Sequence, residues 1–240
     1  MILISQHKLY LFSAISILII VYLYTRKSTV YYKDYYHYQI VNSPTKQIFE
    51  KNIDKAYQTH RQIVQSGLPH TLPNMFDAQE CKVIIYEAET YAADHGWTTR
   101  RHENYPTTDL PVSELPYAYA LAMNRIYTRL FPKMETLYDI DANLLYVYDL
   151  FIIRYTDRHQ NALITHKDGT ILSFIIPLNT EFIGGGTRIH NHIWKPNVGE
   201  ALMFCGQQKH SGEPIISGVR FVLAGFVSVY VDEPVDYSSE

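Results

Sequence analysis

After Asp141 the chain becomes a succession of short β-rich runs: Leu144–Tyr155, Ile171–Leu178, Thr187–His192, Ala201–Cys205 and Val219–Tyr230. Turn signals such as Asp168-Gly169 and Gly184-Gly185-Gly186 separate them. The part before Asp141 has helical spacing instead. Apolar residues recur at Ile48, Phe49, Ile53, Ala56, Tyr57, Ile63 and Val64, and Gly67 follows as a C-cap, predicting a helix over Lys46–Ser66. Asp77 with Glu80 three residues on forms a capping box that opens a helix to about His95-Gly96. Ser113 is placed to cap a third, running to about Phe131-Pro132, with Pro116 tolerated in its first turn. Helices followed by a run of strands predict an α+β fold, the helices packed on one face of a β-sandwich or barrel.

A chain of 240 residues, 47% hydrophobic and 19% charged, suits one sizeable globular domain. The net charge of −3 carries no basic surplus, so nucleic acid is not an expected partner. Cys81 and Cys205 lie outside any CxxC spacing and make neither a zinc site nor a disulfide framework; two buried free thiols are preferred to one bridge. Leu9–Tyr24 is uncharged and mostly apolar, bounded by Lys8 and Arg26-Lys27, with Tyr22 and Tyr24 suited to an interface. No small-x-small cleavage site follows it. An uncleaved single-pass anchor is therefore preferred to a removed signal peptide, with a buried helix of the fold as the remaining alternative.

Within the strand series stand His166-Lys-Asp168, then His210, then Arg220. Two imidazoles and one carboxylate are the parts of a facial triad for non-haem Fe(II), which leaves positions open for a cosubstrate and O2. On an extended segment side chains alternate with period 2, so His166 and Asp168 point the same way and Lys167 points away. His210 would arrive from a distant strand. Arg220, ten residues after His210, is the expected bidentate partner for the far carboxylate of 2-oxoglutarate. Tyr155 could add a hydroxyl hydrogen bond to the same group. Three other patterns compete for attention. His190 and His192, on one expected strand, read as a pair on a solvent face or near the substrate groove rather than a second metal site. The triple glycine lacks the GK[ST] ending of a phosphate loop and reads as a tight turn. Arg100-Arg101-His102 reads as a solvated loop, with a grip on substrate near the mouth as the sharper alternative. Thr108 and Asp109 could line the entrance, and Trp97 and Trp194 read as packing residues.

The stretch from Ile153 to Phe226 resembles the catalytic core of the prolyl 4-hydroxylase and procollagen lysyl hydroxylase group. Ile153-Arg-Tyr155, Leu163, His166-Lys-Asp168 and Ser173-Phe-Ile-Ile-Pro-Leu-Asn179 carry the likeness, followed by Gly184-Gly-Gly-Thr-Arg-Ile189, His210-Ser-Gly-Glu-Pro214 and Gly218-Val-Arg220. Upstream, Trp97 and Tyr105-Pro-Thr-Thr-Asp109 resemble the lysyl hydroxylase branch, so the likeness covers about residues 75 to 230. It implies a double-stranded β-helix (jelly-roll) with Fe(II) in its mouth. It also implies hydroxylation of peptidyl proline or lysine, coupled to decarboxylation of 2-oxoglutarate to succinate and CO2, with L-ascorbate rescuing oxidised iron. Collagen prolyl 4-hydroxylases usually carry Lys where this chain has Arg220, which tilts the likeness toward lysyl hydroxylases or other relatives.

The expected organisation is a membrane anchor over 1–27, a stalk over 28–46 and a dioxygenase domain over 47–240, helical to 140 with its β-helix core at 141–232. A same-core oxygenase acting on a small molecule or nucleobase, and a membrane-tethered binding protein without catalysis, are the alternatives. Arg26, Lys27 and Lys33 outnumber Lys8 plus the amino terminus, favouring a cytoplasmic domain, whereas a secretory-pathway hydroxylase would be lumenal. These two arguments conflict.

Overall fold

The computed structural model describes residues 67–102 and 104–229. The predicted anchor, the stalk and the Lys46–Ser66 helix lie outside these residues. The described elements are, in chain order, β1 (His70–Leu72), α1 (Ala78–His95), β2 (Asp109–Pro111), α2 (Pro116–Arg125), α3 (Phe131–Tyr138), β3 (Leu145–Thr156), β4 (Leu163–His166), β5 (Leu172–Pro177), β6 (Phe182–Gly184), β7 (Thr187–Ile189), β8 (His192–Trp194), β9 (Ala201–Cys205), β10 (His210–Gly212) and β11 (Ile215–Val229), with short 3₁₀ turns between some of them. The larger sheet runs β1-β9-β5-β11-β3-β2, with β6 added beside β11, and the smaller runs β4-β10-β7-β8. All pairings are antiparallel. This is the jelly-roll core with helices on one face that the sequence predicts.

Period-two alternation sorts the side chains of the larger sheet between two environments. Leu150 and Ile152 on β3, Phe174 and Ile176 on β5, and Phe221 and Leu223 on β11 join one buried cluster with Ile84 and Ala88 of α1 and Ala118 and Ala122 of α2. Their neighbours Phe151, Ile153 and Tyr155, with Val222 and Ala224, form a second cluster on the opposite face. That face lines a cavity toward the smaller sheet. Both faces of the central strands are thus covered, which is why β3 and β11 read as near-continuous apolar runs.

Helix α1 starts as expected. The Asp77 side chain accepts from the Gln79 and Glu80 backbone N–H groups, Glu80 accepts from the Asp77 N–H, and Gly96 closes the helix. The third helix departs from expectation at both ends. Ser113 sits inside a 3₁₀ turn (Val112–Glu114), and α2 starts at Pro116 without a side-chain cap, because proline's fixed φ and missing N–H suit a first helical turn. Nor does Pro132 stop the helix. A π-turn over Ile126–Leu130, in which Phe131 N–H reaches the Ile126 carbonyl, shifts the hydrogen-bond register just before the proline, and the helix continues as α3 to Tyr138. The expected strand Thr187–His192 also divides: β7 and β8 are a hairpin whose turn holds His190 at a φ of +53°. Cys81 and Cys205 are free and buried.

Candidate active site

Register brings the distant histidines together. His210 on β10 is the direct cross-strand partner of His166 on β4, and their rings lie 4.2 Å apart. Asp168 follows two residues past the end of β4, where its N–H donates to the Gly206 carbonyl at 2.8 Å. The ligand atoms of His166, Asp168 and His210 lie within 4.8 Å of one another, with side chains 9%, 3% and 7% exposed. His166 Nε2 is 3.4 Å from Asp168 Oδ1, and His210 Nε2 is 3.4 Å from Oδ2.

Each imidazole is oriented from behind. Nδ1 of His166 lies 2.8 Å from the Ile164 carbonyl, and Nδ1 of His210 lies 2.8 Å from the Gln208 carbonyl. A carbonyl can only accept, so the proton of each neutral ring sits on Nδ1 and the Nε2 lone pair faces the cluster, the tautomer that a metal ligand requires. Burial pushes the Asp168 carboxyl upward, but the His210 charge and the hydrogen bonds of His166, His210 and Ser173 outweigh it and hold it well below the usual carboxylate range. Burial likewise works against the charged form of His210, yet the Asp168 carboxylate raises it above its ordinary value.

The same cavity, of 520 Å³, contains Arg220 and Tyr155. They are register partners on β11 and β3, so they stand side by side on the cavity face. Arg220 is 3% exposed, and burial pulls its pKa down, partly opposed by Tyr155. Its guanidinium carbon lies 5.4 Å from the Tyr155 ring centroid, and Nη1 donates to the Gly186 carbonyl at 3.2 Å. Among the described residues it makes no salt bridge. The triple-glycine turn builds this corner. A Cβ at Gly185 would meet Phe182 Cε2 at 2.9 Å and Arg220 Cδ at 3.2 Å, and its φ of +63° favours glycine. Phe151, Ile153, Val222, Ala224 and Phe226 form an apolar wall, and Tyr105 packs its ring 5.0 Å from that of His166.

Other expectations fall away from the cavity. Arg101 is half-buried between Asp109 and Asp149, at 2.8 and 2.7 Å, so it is neither a solvated loop residue nor free to grip a substrate. Asp109 is fully buried in that ion pair and does not line the entrance, whereas His102 and Thr107 do line the cavity. His190 and His192 are exposed and stand apart from the metal-competent cluster. Trp97 packs near Phe221, under the Arg154 guanidinium. The sequence reading missed Ser173, whose hydroxyl donates to Asp168 Oδ2, and Gln207, whose amide donates to the Asp168 carbonyl at 2.6 Å. The signal for Ser173 was present: a lone hydroxyl in the apolar run Leu172–Pro177.

No family model matches the chain. Procollagen-lysine,2-oxoglutarate 5-dioxygenase 1 of Gallus gallus is 25% identical over 173 residues, which cover 64% of this chain and 23% of that protein. The procollagen lysyl hydroxylase and glycosyltransferase of Acanthamoeba polyphaga mimivirus is 29% identical over 142 residues, 52% of this chain and 15% of that protein. The matched segments thus span less than a quarter of these relatives' length. In structure, the viral collagen prolyl hydroxylase of Paramecium bursaria Chlorella virus-1, solved with 2-oxoglutarate, superposes with a TM-score of 0.52 at 16% identity, over 70% of this chain and 99% of that one. A Pseudomonas putida prolyl-4-hydroxylase gives a TM-score of 0.51 at 13% identity, covering 72% and 98%. The fold is that of the 2-oxoglutarate- and Fe(II)-dependent oxygenases. The resemblance to the prolyl 4-hydroxylase and procollagen lysyl hydroxylase group holds in both comparisons. The α-ketoglutarate-dependent epimerase SnoN of nogalamycin biosynthesis shares this fold too, with a TM-score of 0.53 at 13% identity over 72% of this chain and 83% of that one.

Fe(II) and 2-oxoglutarate both fit the residues present. Two imidazoles with outward Nε2 lone pairs and one carboxylate match the ligand preference of non-haem Fe(II). The buried Arg220 supplies a cation that, among the described residues, no acidic side chain neutralises.

Proposed function

We propose that this chain is an Fe(II)- and 2-oxoglutarate-dependent dioxygenase that hydroxylates a peptidyl side chain, proline or lysine. One observation carries the reading: a single cavity joins the His166, Asp168 and His210 cluster to a buried guanidinium that has no acidic partner among the described residues. When bound, Fe(II) supplies the oxidising chemistry, in which O2 cleaves 2-oxoglutarate to succinate and CO2 and gives one oxygen atom to a C–H of the substrate.

The residues of the chain do the rest. His166, Asp168 and His210, which share one wall of the cavity, would hold the metal. Arg220 binds the far carboxylate of the cosubstrate, and Tyr155 lies against the same guanidinium. The apolar wall around Phe151 and Phe226 excludes water from the space between metal and mouth. His102 and Tyr105 line the way in for the substrate.

The test is anaerobic loading with Fe(II), followed by titration with 2-oxoglutarate and observation of the visible charge-transfer band of the chelate. The band should appear in the wild-type protein and fail in His210→Ala; iron-loaded, folded wild-type protein without it would leave a β-helix that only binds. Succinate release with proline- and lysine-containing peptides then identifies the substrate side chain, and turnover of small molecules or nucleobases alone would exclude a peptide substrate. Adding ascorbate to the same assay tests whether it sustains turnover. Leu9–Tyr24 is read, on its sequence alone, as a membrane tether, and extraction of the full chain from membranes at alkaline pH tests that part.

A further inference from the structure

We propose that Ser173 is a positioning residue for Asp168, presetting the rotation of its carboxylate; this rests on the Fe(II) reading above. Ser173 is 2% exposed on β5, where its neighbours are apolar. A buried hydroxyl without an acceptor is costly, so a serine here needs a partner. Its partner is Asp168 Oδ2, 2.5 Å away.

The Asp168 backbone is pinned independently, through its N–H to the Gly206 carbonyl and its carbonyl from Gln207. Those bonds fix where the side chain begins but leave the carboxylate free to turn. The two neighbouring imidazoles do not stop it when neutral, because their protons sit on Nδ1 and face the Ile164 and Gln208 carbonyls. The Ser173 hydroxyl is the neutral donor on the carboxylate. With Oδ2 engaged by Ser173, Oδ1 is the oxygen left for the metal. Gly206 closes over the pair: a Cβ there would meet Ser173 Oγ at 2.9 Å and Asp168 Cβ at 3.2 Å. Without the Ser173 donor the carboxylate can turn out of the orientation in which it faces His166 and His210, so a metal would meet a ligand set that is no longer preset.

The experiment compares the full chain with Ser173→Ala and Ser173→Thr, titrating Mn(II) by electron paramagnetic resonance and recording the melting temperature of each metal-free protein. Ser173→Ala should weaken Mn(II) binding by about 10-fold or more, as loss of a group behind a metal ligand does, while the metal-free protein still melts cooperatively. Ser173→Thr, which keeps the hydroxyl, should recover most of that loss. In the anaerobic Fe(II) and 2-oxoglutarate titration, the charge-transfer band of Ser173→Ala should weaken or shift while that of Ser173→Thr matches wild type. Wild-type Mn(II) affinity in Ser173→Ala would overturn the proposal, as would Ser173→Thr behaving like Ser173→Ala. Loss of cooperative metal-free melting in both Ser173→Ala and Ser173→Thr would make Ser173 merely structural and overturn it too. If the wild-type chain bound neither Mn(II) nor Fe(II), the Fe(II) reading itself would fail, and this role with it.

Discussion

A guanidinium buried without an acidic partner among the described residues narrows what the cavity can take more than any other residue does. Arg220→Ala should raise the 2-oxoglutarate requirement by roughly 30-fold or more, the ~2–5 kcal/mol expected when one partner of a buried charge pair is truncated. An unchanged apparent affinity for 2-oxoglutarate in steady-state assays would remove Arg220 from that role. His166→Ala and Asp168→Ala should each abolish succinate production while the far-ultraviolet circular dichroism stays native, because both side chains face the cavity rather than the helix-side core. Titration adds a signed prediction. A folded-state pKa raised above the unfolded one, as for His210, contributes stability that is fully present below about pH 6.5 and is lost as pH rises through the folded value. Metal binding needs the neutral imidazole, so it runs the other way. As pH rises from about 6.5, then, the metal-free protein should lose stability in calorimetry while Mn(II) affinity rises. Asp168, held low, stays ionised throughout. At this scale the sequence was most readable, since His166, Asp168, His210, Arg220 and Tyr155 all reach one cavity. Ser173 and Gln207 escaped because their work is to hold Asp168, a relation that spacing along the chain does not express.

At the scale of elements, β11 organises the molecule. It pairs with β3 over Val219–Val229, with β5 over Val222–Val227 and with β6 at its start, and it carries Arg220 on its cavity face. Gly225, in its middle, leaves room for the Phe174 ring, and a Cβ there would collide with that ring and approach Leu150 Cδ1 at 3.1 Å. Since Phe174 is fully buried and cannot yield, Gly225→Ala should destabilise the domain by about 1–3 kcal/mol in urea unfolding. Of the strands that the sequence marked, β3, β5, β9 and β11 are long enough to show a period, and β7 was marked only inside a longer run; β1, β2, β6, β8 and β10, of three residues each, and β4, of four, are too short for alternation to register. The start of α1 was readable because a capping box is local chemistry. The continuation from α2 through Pro132 was not, because a π-turn is a change of hydrogen-bond register that no side chain announces. The division of Thr187–His192 into a hairpin was hidden for a similar reason: His190 adopts a positive φ that its residue type does not signal.

Among the described residues of the domain, strands of both sheets line the cavity that holds the His166, Asp168 and His210 cluster, and occupying it should stabilise the strands around it. Metal at about 100 times its dissociation constant should add about 2.7 kcal/mol, so chelation should lower the melting temperature of the loaded protein and re-addition should restore it. A melting temperature indifferent to metal would count against a metal centre that bridges β4 and β10. The sequence alone determined the fold class, the identity of the clustered side chains and the chemistry they suit, because residue type and strand period are local properties. Tertiary structure decided which of the many polar residues share the cavity. His166 and His210 meet because β4 and β10 pair in a register that aligns them, although 43 residues separate them in the chain. Arg101 is taken out of the cavity's chemistry by Asp109 and Asp149, and Ser173 is brought under Asp168, because antiparallel pairing and burial, rather than sequence neighbourhood, choose each buried charge its partner.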